Sequence, residues 1–202
     1  KDVSTTDLEE ILEIKALIRR REAQSAYRFC GIDDENAHFL ALPFYKTGKA
    51  KKLAISAEDV RITKELLEEI KPHQIFLAGD KSDSHGTHKT CLDILIQAFT
   101  EIKEEGQAWV KDCWIWQYRG AWLEWPIDEI EMLVPLSPDE VAKKRTAIFK
   151  HESQKDGGVF PGDDSREFWQ RAEDRNRSTA ELYNKLGLPE YQAAEAFKRL
   201  KV

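Results

Sequence analysis

The chain has 202 residues, 41% of them hydrophobic and 34% charged, enough for one domain with a real core, or a domain with an appendage. Its 31 basic residues stand against 37 acidic ones, a formal charge of −6, which argues against a general nucleic-acid binder whose affinity comes from a basic face. No apolar run approaches the roughly 20 residues that span a bilayer, no signal peptide opens the chain, and the three scattered cysteines fit a reducing cytoplasm better than a disulfide framework.

The first predicted element is a long helix. Leu8, Ile11, Leu12, Ile14, Ala16, Leu17 and Ile18 recur at three- and four-residue spacings, and Ala23, Ala26, Tyr27 and Cys30 continue the stripe. Thr6 with Glu9 suggests a capping box, and Gly31 a stop. His38–Phe44 is too short for a helix and reads as a strand, followed by a basic loop over Lys46–Lys52. Ser56 with Asp59 opens a second helix, which ends before Pro72. Gln74–Ala78 is apolar enough to be a buried strand of a parallel sheet. A polar loop over Gly79–Ser84 leads to a helix marked by Leu92, Leu95, Phe99 and Ile102. Ala108–Trp116 and Ile130–Val134 are further predicted strands. Ser137-Pro138-Asp139-Glu140 combines an N-cap, a proline at the first helical position and a capping glutamate. A loop over Gly157–Asp164 precedes a last amphipathic helix over Ser165–Leu186. The alternation of helix and short strand predicts an α/β fold with a largely parallel sheet.

The stretch Lys71–Cys91 carries the most chemistry. A buried strand delivers the chain to a loop holding Asp80, Asp83, His85 and His88, just before a helix. In open α/β sheets, ligands bind beyond the carboxyl ends of the strands, where this loop must lie. His85 and His88 are three residues apart, so both can project from one side of a first helical turn. Neutral imidazole is the form that ligates a metal. The spacing alone leaves two readings open, a metal or catalytic site and an ordinary surface helix start, because two ligands do not make a catalytic zinc site.

Pro72-His73-Gln74-Ile75, Ala78-Gly79-Asp80 and Asp83-Ser84-His85-Gly86-Thr87-His88 resemble the second active-site motif of the LmbE-like (PIG-L) zinc N-deacetylases. Within that family, the likeness is to the C-terminal region of glucosamine-6-phosphate deaminase-like proteins of the Bacteroides type. Arg19–Ala23, Leu42–Tyr45, Tyr118–Trp122, Glu129–Pro138 and His151–Arg177 resemble that subgroup as well, so the likeness runs through nearly the whole chain. It implies a three-layer Rossmann-like domain with a mainly parallel sheet. Residues 1–136 would be a partial deacetylase core, and residues 137–202 a helical C-terminal extension of the same domain.

The resemblance also implies a mechanism. His88 aligns with a zinc ligand, and His85 with the histidine that stabilises the oxyanion or protonates the leaving amine. Arg19 and Glu22 match an Arg-x-x-Glu whose arginine points into the pocket, which makes them candidate substrate contacts. The expected substrate is an N-acetylated amino sugar or its phosphate. The expected partner is an upstream deaminase-like domain in a longer parent protein, in keeping with a chain that opens on Lys1. One departure is an absence: the family's His-Pro-Asp-Asp motif, which supplies two further zinc ligands and the general base, occurs nowhere in the 202 residues. The expectation is therefore that this chain alone is inactive, and that strand edges next to the first two family strands are left exposed.

Other candidates carry less. Trp114, Trp116, Trp122 and Trp125 put four of the six tryptophans close together, suiting either a core or docking patch or a platform for sugar stacking. Arg119 can hold a sugar phosphate through its planar fork or pair with Glu124 or Asp128. Asp80 and Asp83 can cap the helix or orient the histidines from behind. A non-catalytic domain that packs on and regulates its neighbour is the rival reading.

Overall fold

A computed structural model describes residues 9–45, 53–79, 86–120, 123–154 and 166–202. The helices are α1 (Glu9–Phe29), α2 (Ala57–Ile70), α3 (Thr87–Glu104), α4 (Pro138–Phe149) and α5 (Phe168–Lys185). The strands are β1 (Gln74–Ala78), β2 (Trp114–Tyr118), β3 (Met132–Leu136) and β4 (Ala193–Leu200), arranged in the order β1-β2-β4-β3.

Local chemistry sets most helix ends. The Ser56 hydroxyl accepts from the Asp59 amide at 3.3 Å, while the Asp59 carboxylate accepts from the Ser56 amide at 2.8 Å. Ser137 and Glu140 repeat this box at α4, with Pro138 behind the cap. Both satisfy amide donors that a helix start otherwise leaves bare. Lys71 adopts a left-handed conformation (φ 48°) and closes α2 just ahead of Pro72. Gly31 (φ 89°) follows α1 in the conformation that suits glycine. The cap proposed at Thr6 and the loops over Lys46–Lys52 and Gly157–Asp164 lie outside the described residues.

Two expected strands differ. His38–Phe44 forms no strand: Ala41 turns to φ 50° and Pro43 lacks a donor, so no extended ladder can build. Phe44 is instead buried, and its amide donates to the buried carboxylate of Asp59 at 3.0 Å. The stretch Ala108–Asp112 is a 3-10 turn, with Trp109 packed edge-on against Phe99 at 6.0 Å, and β2 begins only at Trp114.

The sheet corrects the expectation of mainly parallel pairing. β1 and β2 are parallel, from Gln74↔Trp114 to Ala78↔Tyr118, but β4 runs antiparallel to both β2 and β3. The helices α4 and α5 are present as expected after residue 137. The last segment, however, is a strand and not a helix, and it sits between β2 and β3. Its small residues Ala193, Ala194 and Ala196 are buried and let α5 pack closely, with Ala172 and Ala180 buried on the helix side. Asn176 fastens the two by donating to the Ala194 carbonyl at 2.8 Å.

Alternation along β1 and β2 produces three layers. Ile75, Leu77 and Ile115 join the apolar cluster of Val60, Leu67, Ala98, Phe99 and Ile102 from α2 and α3. Phe76, Ala78, Tyr118 and Phe197 face the other way, toward α4 and α5. The three-layer α/β architecture expected from the sequence is the one observed.

Candidate functional site

β1 and β2 run parallel, so their carboxyl ends, Ala78 and Tyr118, lie side by side. A cavity of about 530 Å³ opens there, between the Phe76–Phe197 face of the sheet and helices α4 and α5. The Phe76 and Phe197 rings meet edge-on at 5.2 Å and form its apolar wall. Five elements bring polar groups: His88 comes from the first turn of α3, Arg119 from just past β2, and Lys144, Arg175 and Glu195 from α4, α5 and β4.

Gly79 makes the local geometry possible. Its amide donates to the Tyr118 carbonyl at 2.8 Å, extending the parallel ladder by one bond. A Cβ at this position would lie 2.6 Å from the Gln117 Cβ, closer than side-chain atoms approach. Glycine thus lets the chain leave β1 hard against β2, on its way to the loop that carries Asp80, Asp83 and His85. Those three lie outside the described residues. His88 is described and exposed, and it lines the cavity.

The polar wall is a compact ionic network. Arg175, with only 8% of its side chain exposed, pairs with Glu195 and lies 3.3 Å from Glu124. Lys144 donates to Glu195 at 2.6 Å and to Asn176 at 2.7 Å. Burial opposes ionisation of Glu195, but Arg175 and Lys144 outweigh it and hold the carboxyl below its ordinary range. Glu124 shows the reverse balance: burial pushes it up, and Arg175 offsets that only in part. Desolvation also raises the Tyr118 phenol, which keeps it protonated and able to donate at neutral pH.

The sequence-predicted residues separate into groups. His88 and Arg119 are brought together at one cavity. The guanidinium of Arg119 donates to the Glu124 backbone carbonyl at 3.0 Å, lies over the Trp125 ring at 5.3 Å and lines the cavity. Arg19 and Glu22 are on α1, and neither is among the described residues lining this cavity. Glu22 accepts from the Ser153 amide at 2.6 Å and its hydroxyl at 2.8 Å, tying α1 to the turn after α4. Of the tryptophans, Trp116 is buried, Trp125 donates to the Gln117 carbonyl at 3.0 Å, and Trp114 lies under the Arg199 guanidinium at 3.7 Å. Trp122 is outside the described residues. Lys144, Arg175 and Glu195 were not singled out in the sequence, where nothing local marks residues this far apart as neighbours.

Among the described residues, no three His, Cys, Asp or Glu side chains converge as metal ligands. His88 alone does not meet the needs of a zinc site, which takes three or four ligands, so the described residues by themselves support no metal-borne step. What the described geometry provides is an imidazole, a protonated phenol and fixed cations around a half-apolar cavity, suited to holding a polar ligand against the strand ends.

Over 98% of the chain, and 68% of the other, the structure superposes with the N,N'-diacetylchitobiose deacetylase of Pyrococcus horikoshii at a TM-score of 0.56 and 20% identity. A conserved protein of Thermus thermophilus matches over 90% of the chain and 72% of its own, at a TM-score of 0.57 and 19% identity. In fold the chain is similar to LmbE-type deacetylase structures. In sequence, the chain is 56% identical over 191 residues to a putative glucosamine-6-phosphate deaminase-like protein of Bacteroides thetaiotaomicron. The match covers 95% of the chain but only 29% of that relative, in its C-terminal part. No family model matches the chain. None of the described helices is long and apolar enough to cross a membrane.

Proposed function

We propose that the chain is the deacetylase-like part of a zinc-dependent amide hydrolase acting on an N-acetylated amino sugar or its phosphate. The observation that carries this is the position of His88, at a cavity beyond the carboxyl ends of the parallel pair β1–β2, where α/β sheets bind their ligands. The deacetylase-like fold supports it, as does the likeness to a deaminase-like protein, which points to amino-sugar breakdown in the cytoplasm. In this reading His88 is a metal ligand, His85 serves the leaving amine or the oxyanion, and Asp80 and Asp83 orient the histidines. Arg19 and Glu22 remain proposed substrate contacts alongside Arg119, and residues 1–136 and 137–202 act as core and extension of one domain.

The 202 residues contain no His-Pro-Asp-Asp, so the reading assigns them an incomplete ligand set and no deacetylase activity by themselves. Zinc calorimetry tests this, with His88→Ala beside the unmodified chain. Weak binding in both is expected. Tight one-to-one binding lost in the variant would sink the proposed inactivity and make acetate release the next assay.

A second reading is favoured by one observation. No residue of α1 is buried, and Ile14, Leu17 and Ile18 are 53%, 62% and 46% exposed. A non-catalytic domain docking on a neighbouring deaminase-like domain would use such a stripe. Leu17→Asp should then abolish co-elution with that neighbour, and unchanged co-elution would remove this reading.

A further inference from the structure

Tyr118 stands at the cavity beside His88 and takes no part in the ionic network around it. It closes β2, opposite Ala78 in the parallel pair, and it lines the cavity with Phe76, Ala78 and Phe197. Ala78 is small, which leaves open space beside the phenol ring. The backbone is fixed there, because the Tyr118 carbonyl accepts from the Gly79 amide at 2.8 Å. The hydroxyl differs: it forms no hydrogen bond with any described residue. Yet it lies close enough to Glu195 and Arg175, which line the same cavity, to feel their charges.

Those charged neighbours are occupied with one another. Glu195 accepts from Arg175, from Lys144 at 2.6 Å and from Asn176 at 3.0 Å. Arg175 also lies 3.3 Å from Glu124, which accepts from Thr179 at 3.1 Å. Two cations thus meet two carboxylates, and this network presents a ligand with little net charge. The phenol offers a neutral donor instead. While the cavity is open, water can serve that hydroxyl. A ligand that displaces the water must supply an acceptor or leave the donor bare. A site built this way discriminates against ligands that lack the matching oxygen.

We propose that Tyr118 is a specificity-determining residue of this cavity, its hydroxyl donating to a neutral oxygen of the ligand, an amide carbonyl or a sugar hydroxyl. The proposal rests on the amino-sugar reading for the identity of the ligand. The apolar wall of Phe76 and Phe197, whose rings meet at 5.2 Å, then takes the carbon face of the sugar ring. Pockets of this kind gain affinity from their apolar walls and fix orientation with a few placed polar groups.

Calorimetry with N-acetylglucosamine and 2-deoxyglucose, on the chain and on Tyr118→Phe, tests this together with urea unfolding of both proteins. Removing a hydroxyl that bonds nothing in the protein should leave the unfolding midpoint unchanged. Affinity for N-acetylglucosamine should nevertheless fall about three- to tenfold, the range of one neutral hydrogen bond. A loss confined to N-acetylglucosamine supports the proposal and names the amide carbonyl as the acceptor. An equal loss for 2-deoxyglucose supports it and names a ring hydroxyl. Unchanged affinity for N-acetylglucosamine in Tyr118→Phe overturns the proposal and leaves the amino-sugar reading standing. A lowered unfolding midpoint overturns it as well, because the hydroxyl would then serve the fold. Binding of neither sugar to the unmodified chain sinks the amino-sugar reading, and the proposal with it.

Discussion

The two faces of the sheet are built from different materials. Toward α2 and α3 the interior is apolar, with Ala98 and Ile102 fully buried and Phe99 nearly so. Toward α5 the buried alanines of α5 and β4 are joined by a polar and charged set: Arg171, Glu173, Asn176 and Thr179 are 1–6% exposed, and Arg175 with Glu195 stands at the cavity. Apolar burial is the larger stabilising contribution per residue, whereas buried ion pairs roughly break even against their desolvation. The first face therefore holds the fold together, and the second spends some of that stability on a site. The same strands serve both, because successive side chains of β1 and β2 point to opposite sides.

The sharpest way to break the comparison is to cut into the apolar face. Ile102→Ala removes a fully buried side chain and should cost about 2–5 kcal/mol in urea unfolding, with little change in ligand affinity for the variant that remains folded. By contrast Leu17→Ala, at a residue 62% exposed on α1, should stay within about 0.5 kcal/mol. Equal costs would contradict the assignment of the core to the α2–α3 face. At the junction of the faces, Gly79→Ala forces a Cβ into Gln117 and should cost about 1–3 kcal/mol. Because Gly79 follows Ala78, which lines the cavity, ligand binding should fall as well, and a thermally neutral variant would show the contact to be soft.

Acid probes the charged network at the cavity with a smaller effect. Glu195 has its carboxyl lowered from the ordinary 4.5 in the folded state, by Arg175 and Lys144 working against burial. Such a group adds stability above its unfolded value, and that stability is lost as pH falls through the folded one. Stability should therefore decline below about pH 4.5, and Glu195→Gln should flatten that limb. Glu124, raised by burial, has the opposite sign: its contribution is present below its ordinary value and is lost as pH climbs through the folded one. An acid limb unchanged in Glu195→Gln would mean that the network contributes nothing to folding.

What could be read from the sequence was local. The boxes at Ser56–Asp59 and Ser137–Glu140 are written in four residues each, and β1 stands out as the apolar run Gln74–Ala78. β4 could not be read this way. Its sequence AAEAFKRL has three alanines and two basic residues, a composition that favours helix, and it is a strand because β2 and β3 pair with it on both sides. The site divides in the same manner. Arg119 follows directly on β2, and His88 opens the helix that comes after β1, so both could be found from spacing and motif. Lys144, Arg175 and Glu195 meet only because α4, α5 and β4 pack together, and no pattern in the chain foretells that. His38–Phe44 erred for the converse reason: its apolar content was real, but Ala41 and Pro43 give it a backbone that cannot join a ladder.

The central claim is that ligand binds beyond the ends of β1 and β2, beside His88. Hydrogen–deuterium exchange tests it most directly, comparing the chain alone with the chain saturated by N-acetylglucosamine 6-phosphate. The account predicts slowed exchange at residues 74–79, 86–92, 116–120 and 171–176. Protection confined to the groove between α1 and residues 40–45, or none at a ligand concentration that calorimetry shows to be saturating, would contradict it.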